Sequence, residues 1–308
     1  MKEQDGLGAD GSAGFGCADF DCVDFDCVGF DCVDFDSVDF DPAEAISRAA
    51  AIDDRESHAR WDLIGRLHRR TDRAAFEAAL AAARSADPAA RLVGLDVLGQ
   101  IGYRADRPYH EETLPVLIAE IDQARDDQLV EAAISAAGHL CDVRALPAVL
   151  RHVGSPDDDV RFAVAAALPM LCDEAATGPE LLVSALIELT QDTDSSVRDW
   201  ATMGLGGQLA ADTPAVRDAL AARLDDSAGD TAGEALIGLA RRHDPRALAP
   251  LLAWLDDGPG DLIVEAAAAL GAPEALPALL RLKAEGWQDG EPRPGILDEA
   301  IEACGGGR

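Results

Sequence analysis

The sequence predicts an all-α protein, a solenoid of antiparallel helix pairs over residues 42–308, preceded by an acidic low-complexity head over residues 1–41. Three observations carry the array of helix pairs. An acid-headed helical segment, Asp158-Asp159-Val160-Arg161-Phe162-Ala163-Val164-Ala165-Ala166-Ala167-Leu168, has a relative at Asp194-Ser195-Ser196-Val197-Arg198-Asp199-Trp200-Ala201 and weaker ones on both sides. Apolar residues make up 48% of the chain but aromatics only 5%, and small side chains suit helix-on-helix packing. Val and Ile never alternate cleanly with polar residues, so strand signals are missing.

The helical body begins at Asp41-Pro42, an acceptor side chain at an N-cap followed by proline at the first helical position. Residues 43–53 and 56–69 form the first expected pair, with Trp61, Leu63, Ile64 and Leu67 as a buried stripe. A helix over 72–86 follows, and Asp87-Pro88 opens another in which Leu92, Leu95, Leu98 and Ile101 share one face until Gly102 stops it. Residues 103–111 are the least helical part of the body. Further helices are expected at 112–125, 127–141, 143–153, 157–172, 179–191, 194–209, 213–224, 230–242, 245–256, 260–270, 273–285 and 294–303.

Aligned second helices begin near Arg91, Glu131, Arg161, Arg198, Glu234 and Glu265, with steps of 40, 30, 37, 36 and 31 residues, within the range for helical-pair arrays. Asp87, Asp127, Asp158, Asp194, Asp230 and Asp261 precede them as expected caps. First helices carry a second signature, seen in Asp142-Val143-Arg144-Ala145-Leu146-Pro147, Asp244-Pro245-Arg246-Ala247-Leu248-Ala249-Pro250 and Pro273-Glu274-Ala275-Leu276-Pro277. An interior proline there is expected to bend the helix.

The combination Asp-x-Arg-Ala-Leu-Pro-x-Leu-Leu, then Asp-x-x-Val-Arg-x-x-Ala-x-x-Ala-Leu, resembles the HEAT-repeat family. More narrowly it resembles the bacterial HEAT-like repeats first noticed in phycobiliprotein lyases. The resemblance covers residues 42–303 and is strongest over 127–280. It implies a right-handed superhelix with a convex face of first helices and a concave face of second helices, where partners of the family usually bind.

The head keeps a strict period of five, with Phe15, Phe20, Phe25, Phe30, Phe35 and Phe40 at equal spacing and Ala18, Val23, Val28, Val33 and Val38 two residues before the later ones. Its units resemble the pentapeptide-repeat family, which implies a four-sided β-helix with those residues inward. Each coil needs four units, and only about one coil is present, whereas solenoids need several. Twelve acids against one lysine also repel one another. The head therefore reads either as a disordered acidic tail or as a short β-helical cap. Cys17, Cys22, Cys27 and Cys32 lack the close Cys pair and the nearby His of a zinc site.

A net charge of −32, with Lys2 and Lys283 as the only lysines, disfavours nucleic acid and anionic membranes and suits solubility or a basic partner. No signal peptide or spanning run is evident, and seven cysteines, an odd count, fit a reducing cytoplasm. No catalytic residue, cofactor site or metal site is expected. The hydroxylase branch of HEAT proteins holds two irons through repeated His-Glu pairs; only His110-Glu111 matches here, and His58, His68, His139, His152 and His243 precede other residues. Gly204-Leu205-Gly206-Gly207 follows no strand, so close helix packing plus a C-cap explains it better than a phosphate loop.

The expected function is a protein- or peptide-binding scaffold or adaptor that uses the concave face. The rivals are an enzyme or enzyme subunit of the lyase or hydroxylase branch, and an acidic inhibitor or immunity-type protein for a basic target. Candidate partner-binding residues are those that depart from the repeat: Tyr103, Arg107, Tyr109 and His110 in the irregular loop, and Trp200, where the neighbouring repeat has a small residue. Arg161 and Arg198 read either as ligand contacts or as struts between repeats.

Overall fold

The computed structural model describes residues 40–308 apart from 104, 106, 173–179, 258, 288–294 and 307–308. The five-residue units of the head lie, apart from Phe40 and Asp41, outside the described residues. Among the described residues eight helix pairs follow one another: α1 (Pro42–Ala50) with α2 (His58–His68), α3 (Arg73–Ala83) with α4 (Pro88–Gln100), α5 (His110–Gln123) with α6 (Asp127–Leu140), and α7 (Leu146–Val149) with α8 (Asp158–Met170). Then come α9 (Glu180–Leu189) with α10 (Ser195–Met203), α11 (Pro214–Ala221) with α12 (Gly229–Arg241), α13 (Leu248–Asp256) with α14 (Asp261–Leu270), and α15 (Leu276–Glu285) with α16 (Ile296–Ala303). Among the described residues there is no strand. This is the all-α solenoid of helix pairs that the repeat predicts.

Each pair buries its apolar stripe against its own partner and the next pair. Leu92, Leu95, Leu98 and Ile101 of the α4 segment are all buried, as their spacing requires, as are Leu63, Ile64 and Leu67 of α2. Burying such a leucine contributes roughly 2 kcal/mol. Trp61 is a correction to the expected stripe: it is 41% exposed, and the neighbouring Arg60 takes the inward position at 2%. Arg60 can be buried there because its Nη2 donates to Asp96 Oδ2 at 2.6 Å across to α4, and a paired charge tolerates burial that a lone one does not.

Of the six second-helix acids expected as caps, Asp87 and Asp194 take that role and the other four do not. Asp41 accepts from the amides of Ala43 and Glu44, Asp87 from Ala89, and Asp194 from Ser196 and Val197. In the acid doublets the earlier residue caps: Asp126 rather than Asp127, and Asp157 rather than Asp158. The cap needs extended backbone from which the carboxylate reaches back to free amides, and the second acid then sits in the first turn, complementing the helix dipole. Asp230 and Asp261 likewise lie inside their helices, behind Ala228 and Gly260.

The prolines of the three first-helix signatures sit at helix starts and do not bend a helix interior, whereas Pro115 lies inside α5. Pro147 and Pro277 are the second residues of α7 and α15, each after a single 3₁₀ turn (Val143–Ala145, Pro273–Ala275), and Pro250 is the third of α13 after the turn Pro245–Ala247. At these positions proline's missing N–H deprives no carbonyl of a partner.

Glycine divides the two layers. No odd-numbered helix contains one, whereas several second helices do, at points of close approach. A Cβ on Gly99 would lie 2.8 Å from Ala136 Cα, and one on Gly138 2.9 Å from Ala167 Cβ. Second helices thus pack at short range through glycine and alanine. A stack that is tighter along one layer curves toward it, which puts the second helices on the inner side of the bend.

Candidate partner-binding face

The second helices run side by side, so each turns the same stripe of residues toward solvent on the inner side. The half-exposed positions along this layer include Asp96 and Gln100 on α4, Glu131, Ser135 and His139 on α6, Phe162, Ala166 and Met170 on α8, Asp199, Trp200 and Met203 on α10, Glu234 on α12 and Glu265 on α14. The face is therefore acidic at both ends and aromatic in the middle.

Its aromatic centre comes from neighbouring repeats. The rings of Phe162 and Trp200 meet edge to face, with centroids 5.5 Å apart and planes at 74°, an arrangement favoured by the ring quadrupoles. Both are half-exposed and lean on the core. Trp200 thus bridges α10 to α8 and still offers ring surface to solvent. Asp159 precedes Phe162 by three residues, on the same helical face, and Asp199 adjoins Trp200.

Arg161 and Arg198 are placed as struts. Arg161 grips Asp192 with Nε and Nη2 at 2.7 and 3.0 Å and gives Nη1 to the Ser155 carbonyl at 2.8 Å. One repeat on, Arg198 repeats the grip on Asp226 at 2.9 Å for both bonds, with Nη1 on the carbonyls of Asp192 and Thr193. Each planar fork meets a carboxylate from the loop of the following repeat. The hydrogen bond from Arg198 holds the Asp226 carboxyl down at about 2. With 14% and 13% of these arginine side chains exposed, little guanidinium is left for a ligand.

The acids at the N-terminal end of the face carry their own counter-charges. Asp96 has Arg60, and Glu131 Oε2 accepts from Arg55 Nη2 at 2.8 Å, a bond that reaches over 76 residues from the first pair. At the other end Asp199 accepts from the Thr231 hydroxyl at 3.2 Å, and Glu265 accepts from Arg241 at 2.8 Å. Burial pushes the Asp199 carboxyl above its ordinary value.

The irregular loop sits at the opposite edge of the stack, after the C-terminus of α4, and is not brought together with Arg161, Arg198 or Trp200. Gly102 (φ +71°) and Arg107 (φ +49°) make its turns. Tyr109 is stacked on Phe76 at 4.3 Å and 16° and donates its hydroxyl to the Thr71 carbonyl at 2.7 Å, so its ring tethers α5 to α3. His110 Nε2 lies 2.7 Å from Asp142 Oδ2, and Glu111 accepts two bonds from Arg144. Both halves of the His-Glu pair are thereby occupied. Tyr103 and Arg107 are half-buried. Nearby, burial drives the imidazoles of His68 and His139 down to about 4, so both are neutral at pH 7; His68 donates to the Asp96 carbonyl at 2.9 Å.

Among the described residues no group of three His, Cys, Asp or Glu is placed to hold a metal ion, and no helix is long and apolar enough to cross a membrane. Phe162 and the Asp96–Glu131–Asp199–Glu234–Glu265 row are the features that sequence reasoning missed. The signal was present in part: Glu131, Glu234 and Glu265 occupy one aligned repeat position.

Comparison with solved structures finds the same architecture. The Escherichia coli protein YibA superposes with a TM-score of 0.62 at 23% identity, covering 85% of this chain and 95% of its own. Importin beta aligns with a TM-score of 0.50 at 16% identity over 85% of this chain and 40% of its own. A structure of the CpcE–CpcF complex of phycocyanin lyase from Nostoc aligns at 18% identity and a TM-score of 0.45, over 76% of this chain and 96% of that one. No curated protein matches in sequence. The family model described as HEAT repeats matches residues 114–206 and 183–271, a span of just over half the chain. With that match lying on helix pairs whose spacing, caps and arginine struts repeat as described above, the chain belongs to the HEAT-repeat family.

Proposed function

We propose that the protein is a binding scaffold whose second-helix face takes a cationic segment of a partner protein or peptide. The observation that carries this reading is the half-exposed Phe162–Trp200 pair, set among carboxylates on the inner side of the array. An aromatic face attracts a guanidinium or ammonium, and more so where water is thinned. Asp159 and Asp199 beside the pair supply the complementary charge, since Asp96, Glu131 and Glu265 are paired with arginines, and a chain charge of −32 adds long-range attraction for a basic partner. Trp200 is the anchor and Phe162 its support. Arg161 and Arg198 serve by fixing the spacing of the repeats that present them. Tyr103, Arg107, Tyr109 and His110 belong to a separate edge and are proposed only as a secondary contact.

Titration calorimetry with an oligo-arginine peptide tests this. Trp200→Ala is expected to weaken binding roughly 30-fold, the loss of a ~2 kcal/mol anchor, with helicity unchanged. Trp61→Ala, on the exposed tryptophan of α2, serves as control and is expected to bind as the unmodified protein does. Equal affinities for the Trp200 and Trp61 variants, or no binding to the unmodified protein, defeats the reading. Raising salt should weaken the charged part and leave the aromatic part.

A further inference from the structure

The joint between α10 and α12 is built without side chains to cushion it. After Met203 the chain makes one wide π turn over Gly204–Gln208. A Cβ on Gly206 would lie 2.8 Å from the Glu234 carbonyl oxygen and 3.2 Å from Gly238 Cα. The two backbones touch here, so any force between the helices is transmitted directly to their spacing.

Glu234 stands at this joint in a setting unlike that of the other acids of the face. It is half-buried, and its carboxyl makes no hydrogen bond or ion pair among the described residues. The charged groups around it are Asp199 from α10, Asp230 and Arg241 from its own helix, and Glu265 from α14. Three of those four are acids. The one cation, Arg241, is already bonded to Glu265 at 2.8 Å and to the Gly207 carbonyl at 3.1 Å.

We propose that this joint is a proton-sensitive element of the array: with Glu234 protonated, α10, α12 and α14 close against one another, and its ionisation loosens them and changes the curvature of the inner face. No other reactant is needed, since the proton is exchanged with solvent. Burial, and then the charge of Asp199, pushes the Glu234 carboxyl from 4.5 up to about 7. The sign follows from linkage. A carboxyl with a raised value holds its proton in the folded chain at pH values where the unfolded chain has released it. The fold therefore has its full share of this stabilisation below about pH 4.5 and loses it as pH rises through about 7.

Thermal unfolding and small-angle X-ray scattering of the purified protein and of Glu234→Gln test this, at about pH 5 and about pH 8.5. At the acid condition, where most of this stabilisation is still present, the two proteins should melt close together. At the alkaline one the variant should melt several degrees higher, because its neutral amide keeps the state that the ionised carboxylate has lost. The scattering profile of the unmodified protein should change between the two conditions more than that of the variant. Glu44→Gln, on an exposed face of α1, controls for loss of one negative charge and should show neither effect. A melting difference that does not vary with pH, or equal scattering changes in the two proteins, overturns the proposal. No partner is involved, so the result is independent of the binding reading above.

Discussion

Gly94→Ala is expected to destabilise the protein by about 3 kcal/mol, the upper part of the range for overpacking a closed interface, while the same substitution at Gly65 stabilises it by up to about 1 kcal/mol. Both glycines lie within second helices, so helix propensity alone would favour alanine at each. What separates them is the neighbour. A Cβ on Gly94 would collide with the backbone nitrogen of Ala83 and lie 2.8 Å from Ala82 C. Those atoms belong to the end of α3, which is fixed by Phe76, Ala79 and Ala83 in the core, and backbone cannot rotate aside as a side chain can. The helices must separate, and contacts on both sides of the interface weaken. Gly65 has nothing within 4 Å. Urea unfolding monitored by circular dichroism gives both values. If the two variants shifted in the same direction, close packing through Gly94 would not be what joins α4 to α3.

This pair of glycines also shows how far the sequence could be read. The alternation of acid, apolar run and turn places every helix to within a few residues, because caps and apolar spacing are local properties. Tyr109 and Trp200 could be picked out as departures from the repeat, but their surroundings could not. The stacking of Tyr109 on Phe76 and of Trp200 on Phe162 depends on which residues of separate repeats come level, and that register is set by inter-helix spacing. The same holds for the arginines. An acid within two residues of Arg161 or Arg198 is an obvious partner in the sequence, yet the bonds go to Asp192 and Asp226, about 30 residues away. Trp61 follows the same logic: hydrophobicity ranks it above Arg60, but Asp96 lies on the next second helix and makes the arginine the better inward residue. The inner acid row is invisible until the helices are laid side by side.

Arg242→Met is expected to have an effect comparable to that of Gly94→Ala, and by a different route. The Arg242 guanidinium gathers five backbone carbonyls: Nε donates to Ala211, Nη1 to Gly206 and Gly238, and Nη2 to Leu205, Leu209 and Ala211, at 2.7–3.1 Å. Four of the five lie in or just after the π turn, where the wide turn and the chain's exit leave carbonyls without the usual amide partners. Burial pushes its pKa down, but not far enough to cost it its charge at neutral pH. Methionine keeps much of the side chain's bulk and removes every donor, leaving buried carbonyls unsatisfied at about 1–3 kcal/mol for each that water cannot reach. Since the side chain is partly open to solvent, water will replace some of the bonds, and a net loss of about 3 kcal/mol is expected. Arg242→Lys should recover only a small part, because one ammonium offers three donors from a single point where the planar guanidinium spreads five. The loss should be local at first. In a stacked array each repeat is held mainly by its neighbours, so amide exchange should rise across α10, α12 and the turn between them before α4 or α6 responds. Uniform loss of protection along the chain, or a destabilisation below about 1 kcal/mol, would show that the joint is held by its glycine contact and not by the arginine. If exchange does rise there first, the segment from Trp200 to Glu234 is the mechanically weakest part of the inner face. The residues proposed to meet the partner and to sense protons would then lie where the array yields most easily.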